Sequence, residues 1–136
     1  MSSSQDVRDG AALIDKGEFD KGVALTLRAL EDQLSIQDIA AAYTNLCSAD
    51  VQRQRYEEAM ENCEKALKID KSMPEALNNI ATIRYMQGDY KASVELYRKA
   101  LRSKPFDDLI MGNLLLAQRK LDEVERKTAP ATPQPS

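Results

Sequence analysis

The stretch PEALNNIATIRYMQGDYKASVELYRKALRSKPFD, residues 74–107, carries a pattern that recurs on both sides of it at a fixed interval. Asn79 within the stretch matches Asn45 before it and Asn113 after it, and Tyr90 matches Tyr56. An interval of about 34 residues is the length of one supersecondary unit, which buries its apolar face only by stacking on neighbouring units. Stacked units present an extended surface to other molecules, so the period itself favours a binding protein.

The same stretch has the pattern of two helices joined by a tight turn. Leu77, Ile80 and Ala81 fall on one face of a helix, because successive helical residues advance by about 100°. Gly88, which is followed by an acidic and an aromatic residue, interrupts the apolar period and predicts the turn. Pro105 predicts the end of the second helix, since proline cannot continue one.

Extending this pattern over the 136 residues predicts an all-α fold, an α-α superhelix of three helix-turn-helix units followed by a closing helix. The helices are expected at about residues 5–16, 19–33, 38–54, 57–70, 74–87, 90–103 and 107–127. Ser72 and Glu75 have the spacing of a capping box, which predicts that their side chains cap the fifth helix.

The pattern also predicts how the chain is divided. One domain is expected over residues 1–127, with units at about 3–36, 40–73 and 74–107 and a capping helix at about 107–127. Residues 128–136 contain three prolines and no apolar period, so we expect a disordered proline-rich tail there.

Residues 74–107 resemble a tetratricopeptide repeat, a helix-turn-helix unit of about 34 residues. The second unit departs from the family pattern at Gln54, where the turn glycine is usual, and at Lys71, where the proline is usual. The first unit has Asp6 and Asp9 where bulky residues are usual. The resemblance implies a solenoid that binds proteins, in which the first helices of the units line a concave wall. The positions that carry the resemblance are Leu77, Ile80, Ala81, Gly88, Tyr90, Tyr97, Ala100 and Pro105.

Composition argues against an enzyme and against several classes of ligand. Histidine, the commonest general base and metal ligand, is absent, and no phosphate-binding loop or metal-ligand cluster is present in the sequence. We therefore expect no catalysis, no cofactor and no metal. A net charge of -3 does not favour nucleic acid, and no apolar run approaches the roughly 20 residues that span a bilayer.

The concave wall is expected to bind a protein or peptide partner. Its side chains are mostly small and neutral, and the asparagines repeat once per unit. An asparagine offers a donor and an acceptor that suit the amides of an extended peptide, but equally suit bonds between neighbouring helices of this chain. In the first unit, Ile14 is predicted on this wall. The candidate partner-binding residues are Asn45, Ser48, Asn78, Asn79, Thr82, Tyr85, Met86, Asn113 and Leu116.

One kind of partner is disfavoured by charge. Some members of the family bind the carboxylate tail of heat-shock chaperones through lysine and arginine side chains on the concave wall. Glu75 and Asn79 stand at places where that site needs positive charge, and Glu75 would repel a carboxylate. We therefore do not expect binding to a chaperone tail.

Cys47 and Cys63 are predicted on the paired helices of the second unit, both facing inward. The sequence leaves two states open, two buried thiols or a disulfide. An error of one residue in the helix register would turn one side chain away from the other and prevent the bond. A disulfide would indicate an oxidising compartment, such as a bacterial periplasm reached by a signal that has been removed; free thiols would suit the cytoplasm.

The closing helix suggests a second function. It contains more leucines than one core-facing side requires, whereas a terminal helix normally turns a polar face to solvent. The excess predicts either a dock for a partner or a surface for self-assembly, so a homodimer is the alternative to a monomeric adaptor.

Overall fold

The computed structural model of the protein describes residues 3–130 and contains, within that range, seven helices and no strand. The all-α fold predicted from the period is therefore confirmed. Residues 131–136 of the predicted proline-rich tail lie outside the described range. The helices are α1 (Ser3–Asp15), α2 (Phe19–Leu30), α3 (Ile36–Gln52), α4 (Tyr56–Ile69), α5 (Pro74–Met86), α6 (Tyr90–Ser103) and α7 (Asp108–Thr128).

The helices form three antiparallel pairs, α1–α2, α3–α4 and α5–α6, which are called here the first, second and third units. The first helices contact one another in chain order, α1 with α3, α3 with α5 and α5 with α7. Each second helix contacts its own first helix and the first helix of the next unit, but no other second helix of the described chain. The first helices therefore form a continuous wall, as stacking of such units requires.

The turns inside the three units all use a residue with positive φ. Gly17 has a φ of 84° and Gly88 a φ of 82°, a region that glycine enters without steric penalty. Gln54 stands one repeat before Gly88 and has a φ of 64°. The second unit therefore makes the same turn with a residue whose Cβ disfavours it by about 1–2 kcal/mol.

Three helices begin with a side-chain cap. Ser35, Asp89 and Asp107 each accept a bond from the backbone N–H three residues later, at the starts of α3, α6 and α7. The capping box predicted for α5 is wrong. Its N-cap is Met73 without a side-chain bond, and Pro74 starts the helix with the correct φ already fixed. The Ser72 hydroxyl bonds to Asp70 instead.

The buried core extends from each unit into the next. One cluster combines residues of the second unit with residues of α5, namely Cys47, Ala59, Cys63 and Ala66 with Ala76, Ile80 and Ile83. A second cluster joins α5, α6 and α7 and contains Leu77, Tyr97, Ile110 and others. Because each cluster crosses from one unit to the next, no unit buries its apolar face alone, and the relative positions of the first helices are fixed.

Candidate functional site

A groove runs across the first helices of the units and encloses about 280 Å³. It crosses the wall of first helices, because its lining residues lie on α1, α3, α5 and α7 and on the turn before α7. A groove built this way depends on the stacking of units rather than on any one unit. Its lining residues are Ala11, Asp15, Thr44, Asn45, Ser48, Glu75, Asn78, Asn79, Asp107, Leu109 and Ile110.

Four of the candidate partner-binding residues lie together in the groove, and five do not line it. Asn45, Ser48, Asn78 and Asn79 are lining residues. The groove also contains three carboxylates, of which Glu75 was predicted on the wall, whereas Asp15 and Asp107 were not. Asp107 could have been found from its position directly before the closing helix, since an N-cap aspartate is common there. The five candidates outside the lining are Thr82, Tyr85, Met86, Asn113 and Leu116.

The row of asparagines divides into bonded and unbonded members. The Asn45 amide is 9% exposed and donates to the Val7 carbonyl oxygen at 2.8 Å, which ties α3 to α1. The Asn113 amide donates to the Asn78 side-chain oxygen at 3.0 Å, which ties α7 to α5. The Asn79 side chain is half-buried and has no hydrogen-bond partner within residues 3–130. Asn79 is therefore the asparagine whose donor and acceptor both remain available to a ligand.

Thr82 and Tyr85 have contacts within the third unit. The Thr82 hydroxyl donates to the Asn78 carbonyl oxygen at 3.0 Å and shares a 2.7 Å hydrogen bond with the Tyr97 hydroxyl. The Tyr85 ring packs edge-on against Tyr90 with 5.2 Å between ring centroids. Both side chains therefore support the wall from behind or at its end.

Two of the remaining candidate residues are exposed, whereas a third residue, predicted to lie on the wall, is buried instead. Met86 and Leu116 are both exposed, at the end of α5 and in the middle of α7. The prediction that Ile14 lies on the wall is wrong. Ile14 is 1% exposed, because glycine at position 22 lets α2 approach α1 and the Ile14 side chain packs into that space.

The groove carries negative charge. Asp15, Glu75 and Asp107 contribute three carboxylates to its lining. Glu75 pairs with the Lys104 ammonium at 2.6 Å, and this hydrogen bond, together with the charge of Glu75, raises the pKa of Lys104. Asp107 accepts the backbone N–H of Ile110 at 2.9 Å, and its charge also acts on Lys104. The lining therefore disfavours an anionic ligand.

A second, more open cleft of about 460 Å³ lies at the turns of the first and second units. Side chains that line this cleft contact one another within the chain. The Arg53 guanidinium lies 5.2 Å from the centre of the Phe19 ring and 2.8 Å from the Asp20 carboxylate. These contacts connect the two turns, so the cleft belongs to the packing of one unit on the next.

The second unit contains a disulfide between Cys47 and Cys63, with a Cα–Cα distance of 5.4 Å. Both residues are fully buried. Of the two states left open by the sequence, the structure contains the bridge.

The described part of the chain lacks two other kinds of site. Within residues 3–130, no three histidine, cysteine, aspartate or glutamate side chains are grouped so that they could hold a metal ion. No helix between residues 3 and 130 combines the length and the apolar composition that crossing a bilayer requires.

Comparison with known proteins gives a family match and several relatives. Residues 38–105 match the family model described as tetratricopeptide repeat. Sperm-associated antigen 1 of Rattus norvegicus is 32% identical over 117 residues, which are 86% of this chain and 12% of that protein. The photosystem I assembly protein Ycf3 of a Synechococcus strain is 37% identical over 68 residues, 48% of this chain and 39% of that protein. The chain thus spans only a small part of the curated relatives that it matches.

The fold has a solved counterpart in the Sgt2 TPR domain of Aspergillus fumigatus. The TM-score is 0.76 at 23% identity, and the match covers 98% of this chain and 88% of that one. This likeness concerns the path of the helices. It agrees with the unit-by-unit stacking described above.

Proposed function

The chain belongs to the tetratricopeptide repeat family, and we propose that it is a non-catalytic adaptor whose groove binds an extended segment of a partner protein. The family and its fold are generally non-catalytic repeat scaffolds that bind proteins or peptides. The observation that carries the proposal is the unpartnered Asn79 amide, which stands in a groove of about 280 Å³ built from successive first helices.

An extended peptide suits this groove because of what its backbone offers. Every non-proline residue of such a segment presents one N–H donor and one C=O acceptor. The Asn79 side chain can bond to one of each, in the manner of a backbone partner. Asn45 and Asn78 hold the helices on either side in place through their bonds to Val7 and Asn113. The recognition is therefore of main-chain groups, with little demand on the partner's side chains.

Charge restricts the composition of that segment. Within residues 3–130, Asp15 and Asp107 form no salt bridge, whereas Glu75 is paired with Lys104, on which the charge of Asp107 also acts. A neutral or basic segment is accepted, and an acidic one is repelled. A free carboxylate tail, as at the end of a chaperone, is a poor ligand for the same reason.

The closing end of the groove adds an apolar contact. Leu109 lines the groove and is largely exposed. Leu116 lies two turns further along α7 on the same side and is also exposed. An apolar side chain of the bound segment would cover them, and burial of apolar area contributes about 25 cal/mol per Å². We therefore place the apolar residue of the ligand near α7.

The test begins with capture of the partner by affinity purification and mass spectrometry, followed by calorimetric titration of the captured segment. Asn79→Ala is expected to weaken binding about 3- to 10-fold, since one hydrogen bond contributes about 0.5–1.5 kcal/mol. The matched control is Gln33→Ala, which removes an exposed amide from the loop before α3. Equal affinities of the two variants for the segment would remove the groove as the binding site.

We also propose that the protein works in an oxidising compartment, such as a bacterial periplasm. The buried Cys47–Cys63 bridge supports this, because disulfides persist in such compartments and are rare where thiols are kept reduced. Protein taken from its native source under denaturing conditions without reductant should show no alkylated cysteine by intact mass. Two alkylated cysteines in that material would contradict the compartment.

A further inference from the structure

The closing helix α7 is the first helix of a unit that has no second helix within residues 3–130. Met111 and Leu115 stand one repeat after Leu77 and Ala81 of α5. In the third unit, α6 covers those two α5 residues, and Leu77 is 1% exposed. On α7 the equivalent Met111 is 39% exposed and Leu115 is 60% exposed. The side of α7 on which a pairing helix would lie is thus apolar and open.

We propose that this side of α7 pairs with α7 of a second copy of this chain, antiparallel, so that each helix takes the place that the second helix has within a unit. Within a unit the paired helices are antiparallel, so the proposed arrangement repeats the geometry already used three times in the stack. The surface is distinct from the groove, which lies on the Leu109 side of the helix. The pairing adds an assembly to the adaptor function and does not depend on it.

The charges along α7 are complementary to those of a second, antiparallel α7, which favours a copy of this chain as the partner and also sets the direction. The helix is acidic at its start, with Asp107 and Asp108, and carries Arg119 one turn after Leu115. In an antiparallel pair centred between Met111 and Leu115, Arg119 of one copy lies next to Asp108 of the other, and Asp108 does not line the groove. Twofold symmetry gives this contact twice. A parallel pair would instead place like charges together, which is unfavourable.

The surroundings of these residues allow close approach. Gly112 lies beside Met111 and Leu115, and nothing lies within 4 Å of where its Cβ would be. A missing side chain at that place lets two helix backbones come near each other. Asp108 and Arg119 are exposed and form no ion pair within residues 3–130, so both are available to a second copy.

A single helix pair buries less than the roughly 1,200–2,000 Å² of a standard stable interface. The dimer should therefore be weak, with a dissociation constant of about 10–100 µM. Sedimentation velocity of the full chain from about 1 µM to about 500 µM spans that range. The expected result is a shift from monomer to dimer across the series. A monomer at every concentration overturns the proposal while leaving binding in the groove intact.

Charge reversal gives the sharper test. Arg119→Glu and Asp108→Lys should each weaken the dimer at least tenfold, because each places like charges opposite one another at both symmetry-related contacts. An equimolar mixture of the two variants should recover a dimer, since the introduced carboxylate of one then faces the introduced ammonium of the other. Dimers that form equally well from each variant alone, or a mixture that stays monomeric, would overturn the antiparallel α7 pair.

An apolar variant separates the surface from the rest of the molecule. Leu115→Glu should give a monomer with unchanged helical circular dichroism, since the residue is exposed in the single chain. The matched control is Leu27→Glu on α2, also an exposed leucine, which should leave the dimer unchanged. Loss of the dimer in the Leu27 variant, or its persistence in the Leu115 variant, would place the interface elsewhere and overturn the proposal.

Discussion

The second and third units solve the same packing problem with different chemistry. Cys47 and Cys63 of the second unit stand one repeat before Ala81 and Tyr97 of the third. In the second unit a disulfide joins the two helices at this level. In the third, a small residue faces a large ring, and both are buried. The same two positions of the repeat therefore accept either a disulfide or a small residue packed against a large one, provided that the space between the helices is filled.

The two units also differ at their turns, and the energetic cost of the turn in the second unit can be compared with the contribution of its disulfide. Gln54 adopts a positive φ that Gly88 adopts without penalty, which destabilises the second unit by about 1–2 kcal/mol. The bridge closes a loop with a sequence separation of 16 residues, and such a loop contributes about 3 kcal/mol. The stabilisation by the disulfide therefore exceeds the cost of the positive φ at Gln54. The unit that departs most from the family pattern at its turn is the one with a covalent link.

The largest expected effect comes from removing the ring of the third unit. Tyr97→Ala should destabilise the protein by about 3–5 kcal/mol, because a buried aromatic side chain leaves a cavity and its hydrogen bond to Thr82 is lost. Chemical denaturation measures the loss, and hydrogen exchange should locate it in α5 and α6. Phe106→Ala is the control, since that ring is almost fully exposed and its loss should be near zero. Similar losses in the two variants would mean that Tyr97 does not hold the third unit together.

Removing the bridge of the second unit should have the next largest effect. Cys47→Ala/Cys63→Ala is expected to lower the free energy of unfolding by about 3 kcal/mol, and reduction of the wild type should lower it comparably. Denaturation with and without reductant measures both. The double variant is its own control, because reductant should no longer change its stability. A wild type that is indifferent to reductant would show that the second unit closes by packing alone, like the third.

Exchanging the turn residues should give a smaller effect of opposite sign in the two units. Gln54→Gly is expected to stabilise the protein by about 1 kcal/mol, since it relieves the steric penalty of a positive φ. Gly88→Gln at the equivalent place should destabilise by a comparable amount. Thermal melting of the two variants beside the wild type checks this. Changes of the same sign would contradict the equivalence of the two turns.

The fold was predictable because its signals are local and repeated. The face shared by Leu77, Ile80 and Ala81, and the turn at Gly88, each need only a few consecutive residues to be recognised, and the period presents them again in the neighbouring units. The capping box failed for a reason that is not local. Glu75 has the correct spacing from Ser72, but its carboxylate is bound by Lys104, which lies 29 residues further along the chain.

The candidate site was predictable only as a surface. The period indicates which face of each first helix lines the wall, but not which amides are used between helices. Asn45 and Asn79 look equivalent in the sequence, yet the Val7 carbonyl lies beside one and no partner within residues 3–130 lies beside the other. Asp15 and Asp107 enter the groove because α1 and the start of α7 come near α3 and α5, and that proximity depends on packing. Which side chains a partner contacts stays a prediction.

The smallest expected effect is a loss of stability at alkaline pH that arises in the third unit. Burial raises the pKa of Tyr97 above its usual value of about 10, against the opposing effect of its hydrogen bond with Thr82. The folded state therefore holds the phenolic proton more strongly than the unfolded state. The resulting stability is fully present below pH about 10 and is lost as the pH rises through the folded pKa.

The variant Tyr97→Phe removes this titrating group, so the wild type should lose stability relative to the variant above pH about 10. Chemical denaturation of both proteins across the alkaline range measures the difference, to which the groups present in both proteins contribute equally. Denaturation curves that stay parallel up to pH about 11 would contradict a buried, protonated Tyr97. Tyr97 lies on α6, so this contribution to the alkaline sensitivity belongs to the third unit.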